Sequence, residues 1–230
     1  MTTAYTNAGD VVVAAEEVYV AQQDSQLLID VMAKTGLAAG RRVADLCTGS
    51  GVVALAAATQ GASAVTAFDI CTRAVRCARA NALARGVDVQ VHLGSWARAV
   101  EYGPFDLVLC NPPYVPHDPD EAELVPAQAG PARAVNAGRD GRLVLDPLCA
   151  AAPELLVDGG SLLVVHSEFA GVQTTLNALN NAGLHADVVV QQWIPFGPVL
   201  TARAAWLESI GLLSPERREE KLFVIRAEKP

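Results

Sequence analysis

The sequence predicts an α/β chain with a doubly wound, mostly parallel sheet. Three observations carry that expectation. Strand-like and helix-like segments alternate from about residue 24 onward. A glycine turn, Gly49-Ser50-Gly51, joins the first of these strands to a helix, and Asp69 closes the second strand. The tail then changes character, with two strand-like runs flanking a helix.

The elements follow in order. Val11–Val20 reads as extended or turn-like, and Asp24 is placed to cap an apolar helix running to Lys34. Short β-branched or aliphatic runs predict strands at Arg42–Cys47, Ala64–Asp69, Val87–Leu93, Phe105–Cys110 and Ser161–His166. Helices are expected between them at Gly51–Gln60, Thr72–Arg85, Arg142–Leu156 and Phe169–Ala182. Gly61, Gly86, Gly159–Gly160 and Gly183 fall just past or between elements, as C-caps and turns do. In the tail, Ala186–Trp193 and Lys221–Arg226 read as strands, separated by Ile194–Pro198 and a helix around Thr201–Leu212. Tyr114–Asp140 is rich in Pro, Gly and acid and lacks periodicity, which predicts a lid. No repeat or linker divides the chain, so residues 1–230 are expected to form one domain, with distinct roles for segments 1–36 and 114–140.

Composition narrows the class. The chain has 230 residues and a formal charge of −8, from 17 Lys+Arg and 25 Asp+Glu. With 51% hydrophobic and 18% charged residues it is not disordered, and it can fill a six- or seven-stranded sheet. The longest apolar run, Val52–Ala58, is far below the roughly 18–20 residues of a membrane span. Asp10, Glu16 and Glu17 stand where a secretory leader needs basic and apolar residues. A cytoplasmic protein without a membrane partner is the expectation. The acidic balance weighs against, without forbidding, a nucleic-acid partner. Five cysteines without a Cys-x-x-Cys pair predict reduced thiols and no metal site.

Two motifs carry chemistry. Asp45-Leu46-Cys47-Thr48-Gly49-Ser50-Gly51 closes a strand and opens a helix, where glycines admit a ligand close to the backbone and the helix dipole favours it. With Asp69 as a ribose acceptor, this is a nucleoside-cofactor site that leaves the cofactor open. The second motif, Asn111-Pro112-Pro113-Tyr114, follows the strand ending at Cys110 directly and lands in the same crevice. Its prolines stiffen the backbone and carry no N–H, so the Asn111 side-chain oxygen and the Pro112 carbonyl can both accept from one –NH₂ group. Tyr114 adds a flat face for a planar amide or base.

Together these residues resemble class I S-adenosylmethionine-dependent methyltransferases that methylate planar nitrogen. More narrowly, the chain resembles the HemK family of protein glutamine methyltransferases, in its single-domain branch that modifies release factors. Val18-Tyr19, Gln23-Asp24-Ser25-Gln26-Leu27-Leu28 and Gly138-Arg139-Asp140-Gly141 belong to the resemblance, as do antiparallel C-terminal strands. It implies a seven-stranded Rossmann-like sheet, S-adenosyl-L-methionine as cofactor, and transfer of a methyl group to a glutamine side chain of a protein. The Gly-Gly-Gln loop of a release factor is the implied target, and a small zinc-binding activator protein an implied partner.

Site roles follow from the resemblance. Asp45 and the backbone around Cys47, Thr48, Gly49 and Gly51 would hold the methionine end, and Asp69 the ribose, with Ile70 against adenine. Tyr19 and Ser25 would close over the cofactor from segment 1–36. Asn111 and Pro112 would bind the substrate amide beside Tyr114. Ser95, followed by Trp96, stands where an acid commonly contacts the adenine amine, and Gln23 stands at a position often acidic in this branch. Methylation of RNA or DNA amino groups is the alternative reading, because it uses the same four-residue motif. A nicotinamide dehydrogenase would have no use for that motif, nor would a non-catalytic scaffold. Arg73, Arg76 and Arg79 read as a solvated helix face, and Asp118, Asp120, Glu121 and Glu123 around His117 as a solvated or substrate-facing loop. His92 and His166 read as packing residues.

Overall fold

The computed structural model describes residues 2–6, 10–14, 18–118 and 131–230. It opens with an antiparallel ribbon of β1 (Thr2–Thr6) and β2 (Asp10–Ala14), more regular than the extended segment expected there. Helix α1 (Gln23–Thr35) buries Leu27, Leu28, Val31 and Met32 and ends at Gly36 in the left-handed region. The alternating core follows: β3 (Arg42–Leu46), α2 (Val52–Thr59), β4 (Ala64–Asp69), α3 (Thr72–Arg85), β5 (Gln90–Leu93) and β6 (Phe105–Cys110). Next come α4 (Leu145–Leu155), β7 (Leu156–Ser167), α5 (Val172–Asn181), β8 (His185–Pro195), α6 (Pro198–Ser209) and β9 (Glu219–Glu228).

The seven strands β3 to β9 form one sheet in the order β5-β4-β3-β6-β7-β9-β8. Its first five members are parallel, and β9 runs antiparallel between β7 and β8. The expected architecture is therefore present. The central strands are apolar on both faces because helices cover both: Val43, Leu46, Leu107, Val108, Leu109 and Leu163 are all fully buried.

Several boundaries differ from expectation for tertiary reasons. β7 starts at Leu156 rather than Ser161, because Leu156 pairs with Phe105 before a register shift, and Gly159–Gly160 lie inside the strand at that irregularity. α4 starts at Leu145, not Arg142, whose buried guanidinium instead donates to the Ala170 and Gly171 carbonyls and to Thr175. α6 starts three residues early, at Pro198, whose fixed φ suits the first helical turn.

The site follows from topology. Chain connections diverge on either side of the β3–β6 pair, so the carboxyl ends of those strands open a crevice. Leu46 pairs with Cys110, which sets the loops after both strands side by side. Two glycines shape the opening. Gly51 has φ +86°, and a Cβ there would lie 3.0 Å from the Ala78 Cβ. Gly141 has φ +75°, and a Cβ there would lie 2.4 Å from the Tyr114 carbonyl oxygen.

Gly141→Ala is therefore expected to destabilise the fold through both φ and the clash. Left-handed strain costs about 1–3 kcal/mol, and each kcal/mol moves Tm by about 2–4 °C in a chain of this size. Calorimetry should find a Tm loss clearly larger than for Gly36→Ala, where φ is +64° and no atom lies within 4 Å of the added Cβ. Equal losses would mean that the Tyr114 carbonyl yields freely.

Candidate active site

A cavity of about 420 Å³ lies over the carboxyl ends of β3, β4 and β6, within the roughly 300–1,000 Å³ range of small-molecule sites. The loop after β3 forms its floor. Cys47 (φ +61°), Gly49 (φ +55°) and Gly51 (φ +86°) all take left-handed backbone there, which is costly for the cysteine. Asp45 holds the loop from behind: its Oδ2 accepts the Thr48 hydroxyl at 2.5 Å and the Ala54 N–H at 3.1 Å. Asp69, at the end of β4, braces the same loop. Its Oδ2 accepts the Gly49 N–H at 2.9 Å and its Oδ1 the Cys71 N–H at 2.8 Å. Burial raises the Asp69 pKa, against these two bonds and the nearby Arg133. Each carboxylate oxygen retains acceptor capacity, so a ligand hydroxyl can still bind. Ile70 stands 61% exposed beside it, an apolar surface awaiting cover. Gly94, Ser95 and Trp96 complete that end of the cavity.

The opposite end is built around Asn111. Its Nδ2 donates to the Ser25 Oγ at 3.0 Å. With the –NH₂ committed to Ser25, the carbonyl side of the amide is the side left for a ligand. Pro112, Pro113 and Tyr114 line the wall beside it.

Asp24 does not cap α1 as expected. The N-cap is Gln22, and no side chain bonds at that cap. The Asp24 carboxylate is buried, and its Oδ2 accepts the Tyr19 hydroxyl at 2.9 Å and the Tyr114 hydroxyl at 3.1 Å. Its Oδ1 accepts the Ser25 N–H at 2.6 Å. Burial, reinforced by Asp24, pushes both phenol pKa values well above their usual range. Segment 18–25 is thereby tied to the end of β6.

The structure brings Tyr19, Cys47, Thr48, Gly49, Asp69, Ile70, Ser95, Trp96, Asn111, Pro112 and Tyr114 onto one cavity surface. Ser25, Asp45 and Gly51 do not line it; they position residues that do. Sequence reasoning missed Arg133, Val135 and Asn136, in the later part of the expected lid, and Leu143 just past it, all of which line the cavity. Val115 bridges Asn136, and Arg203 on α6 donates to the Pro116 carbonyl at 3.1 Å and to the Asn136 side chain. Residues 119–130 of the expected lid, with Asp120, Glu121 and Glu123, lie outside the described residues. Asp118 pairs with Arg139 at 3.3 Å.

Arg79 departs from the solvated-face reading, because it donates to the Val91 carbonyl and ties α3 to β5. His92 packs between Phe68 and Tyr102, and His166 is buried, as packing residues should be. Among the described residues, no helix is long and apolar enough to cross a membrane.

Comparisons with known proteins bear on this geometry. A family model described as methyltransferase small domain matches residues 12–128. A Methanocaldococcus jannaschii protein provisionally named protein N5-glutamine methyltransferase is 29% identical over 188 residues, covering 82% of this chain and 91% of that protein. Release factor glutamine methyltransferase of Rhodospirillum rubrum is 40% identical over 149 residues, covering 61% of this chain. The match spans only 44% of that longer relative. Among solved structures, the E. cuniculi Mtq2–Trm112 complex, described as responsible for methylation of the eRF1 termination factor, superposes with a TM-score of 0.64 at 21% identity. The superposition covers 93% of this chain and 99% of that one, and it bears on the fold alone: a class I methyltransferase sheet with antiparallel C-terminal strands.

The floor of the cavity makes a pH prediction. Burial lifts the Asp45 carboxyl from 3.8 to about 7, against the bonds from Thr48 and Ala54. A raised folded-state pKa means that the fold binds this proton more tightly than the unfolded chain does. The resulting stabilisation is full below about pH 4 and is lost as pH rises through about 7. Glu220, lifted from 4.5 to about 7 chiefly by burial, acts in the same sense. His166, held down at about 4 from 6.5 by burial, acts oppositely below its ordinary value. Asp45→Asn keeps the acceptor without the charge, so only its own contribution should vanish. In the ligand-free protein, the variant's Tm advantage over wild type should grow between about pH 5 and 7 and level off above. A constant Tm difference across that range would mean that Asp45 titrates as it does in the unfolded chain.

Proposed function

The chain belongs to the methyltransferase small domain family, and from that premise we propose that it methylates a protein glutamine side chain at the amide nitrogen, using S-adenosyl-L-methionine. The proposed substrate is a peptide-chain release factor and the proposed setting the cytoplasm, with a small zinc-binding activator as a proposed partner. The observation that carries the reading is Asn111, held by Ser25 on its donor side at 3.0 Å and facing the cavity that the Gly49 loop floors. The relatives named for glutamine methylation support the choice of substrate.

The residues fit the cofactor. The backbone at Cys47, Thr48 and Gly49 would take its methionine end, Asp69 its ribose hydroxyls, and Ile70 with Trp96 its adenine. Tyr19 would close over it. Asp45 and Gly51 serve by holding the loop. When bound, S-adenosylmethionine supplies a methyl group on a sulfonium that departs as a neutral thioether, so no acid is required of the protein.

The protein's task is to make an amide nitrogen nucleophilic. That lone pair is delocalised into the carbonyl. The Asn111 Oδ1 and the Pro112 carbonyl would accept the two N–H groups, favour pyramidalisation and point the lone pair at the methyl carbon; as the N–C bond forms and the S–C bond breaks, one N–H proton, made strongly acidic, would pass to water. Tyr114 offers a face for the planar amide, and its hydroxyl is held by Asp24. The work is positioning and preorganised electrostatics.

Labelled methyl transfer into a lysate tests the class. The label should survive nuclease and appear on protein; label found only in RNA or DNA would transfer the assignment to nucleic-acid amino groups. Variants then separate the two halves of the site. Asp69→Ala should weaken S-adenosylhomocysteine binding roughly ten- to a hundredfold, the equivalent of about 1.5–3 kcal/mol for lost bonds to a charged group. Asn111→Ala should leave that affinity within several-fold but cut single-turnover methylation by about two to three orders of magnitude. Wild-type turnover in Asn111→Ala would mean that the acceptor pair is not the catalytic device.

A further inference from the structure

A second cavity, of about 570 Å³, adjoins the first and shares Tyr19, Ala21, Asp24, Tyr114, Val115 and Val135 with it as a common wall. Its remaining lining divides into two kinds. Ile194, Phe196, Val199 and Leu200, at the end of β8 and the start of α6, are apolar. Gln22 at the N-cap of α1, with Gln23 and Gln26 on that helix, are neutral amides. One charged residue joins them: Glu220 on β9, which is 5% exposed.

Glu220 is the anomaly. Its Oε2 is buried and finds no hydrogen-bond partner among the described residues. A buried carboxylate oxygen without a donor costs several times what a typical hydrogen bond contributes. The other acids nearby are spoken for. Asp24 accepts from Tyr19, Tyr114 and Ser25. Glu168 accepts from Arg217 at 3.2 Å and from the Lys221 N–H at 2.8 Å. Among the residues of that lining, Glu220 and Gln26, whose Oε1 is likewise buried without a partner, offer open acceptors to the second cavity, and Glu220 is the acidic one.

We propose that this cavity seats the main chain of the substrate segment that carries the methylated side chain, and that Glu220 accepts a backbone N–H from it. This rests on the glutamine-methyltransferase reading above. Apolar walls and neutral amides suit an uncharged polypeptide stretch, and the open acceptors of Glu220 and Gln26 suit its backbone N–H donors. The shared wall at Tyr114 puts the two cavities within a side chain's reach, so a residue anchored in the second presents its neighbour's amide to Asn111 in the first.

The acceptor is strongest in the charged form. Burial chiefly, with Asp24 and Glu168 adding to it, lifts the Glu220 pKa from 4.5 to about 7, while the Ser167 hydroxyl and Arg217 oppose the rise. Tyr19 and Tyr114 also face it, and both stay protonated throughout the neutral range. Protonation of Glu220 therefore weakens the acceptor as pH falls below about 7.

The test uses the full chain, S-adenosylmethionine and an intact peptide-chain release factor. Glu220→Ala should raise KM for the release factor at least tenfold, with the larger effect on KM than on kcat, while S-adenosylhomocysteine affinity by calorimetry holds within about twofold. Wild-type KM should rise as pH falls from 8 to 6, and Glu220→Gln should flatten that rise. Should Glu220→Ala fail to fold, Gln23→Trp, at an exposed rim position, fills the cavity mouth and should raise KM without changing S-adenosylhomocysteine affinity. Unchanged KM in Glu220→Ala, or in Gln23→Trp, overturns this inference alone. A wild-type enzyme that does not methylate the release factor overturns the parent reading, and this one with it.

Discussion

Asp24 is the constraint on which the site depends. One buried carboxylate accepts two phenol hydroxyls and a backbone N–H, and it draws together three pieces of chain that share no strand pairing. Tyr19 comes from the N-terminal segment, Ser25 from the first turn of α1, and Tyr114 from the end of β6. Hydrogen bonds to a charged group are worth about 1.5–3 kcal/mol each, and leaving a buried carboxylate without them costs more. Desolvation is therefore tolerable only when all three donors are present, which makes the junction nearly all-or-none. Asn111 inherits the result. Its donor partner Ser25 is the next residue after Asp24, so the orientation of the amide depends on the same junction. The sheet supplies the crevice, but the junction supplies the geometry.

Burial sets the electrostatics of the cavity throughout. Asp45, Asp69, Glu220, Tyr19 and Tyr114 all have raised pKa values, and desolvation is the largest cause in each. Each raised value favours the neutral form, so the cavity wall carries less negative charge near pH 7 than its acids alone would give it, and Tyr19 and Tyr114 remain donors to Asp24.

The alternating core was legible because its signals are local. β4, α3 and β6 fall where periodicity and flanking glycines put them. Errors gathered where a distant partner decides the boundary. β7 is lengthened by pairing with Phe105, and α4 is shortened because Arg142 turns to the Ala170–Gly171 carbonyls. Asp24 was misread for the same reason. An acid at the start of a helix is a sound capping signal, but its actual partner, Tyr114, lies 90 residues away. Gly49, Asp69 and Asn111 were legible because each belongs to a short motif at a strand end. Arg203, Asn136 and Glu220 carry no such motif, since their partners come from other elements.

The tail explains why one sheet can serve a particular acceptor. In the proposed reading, the strand ends β3, β4 and β6 carry the cofactor half of the cavity, and this half would serve any methyl acceptor. The elements β8, α6 and β9, with the turn between β8 and α6, build one side of the second cavity, with Phe196, Leu200 and Glu220 in its lining. Arg203 on the same α6 reaches back to the Pro116 carbonyl and to Asn136, the two sides of the parallel bridge between Val115 and Asn136. At that bridge, Val115 and Val135 stand between the cavities. A single buried guanidinium thus ties the wall of one cavity to the helix that lines the other. Displacement of α6 would cost Arg203 its bonds to the Pro116 carbonyl and to Asn136, so the walls of the two cavities are mechanically linked.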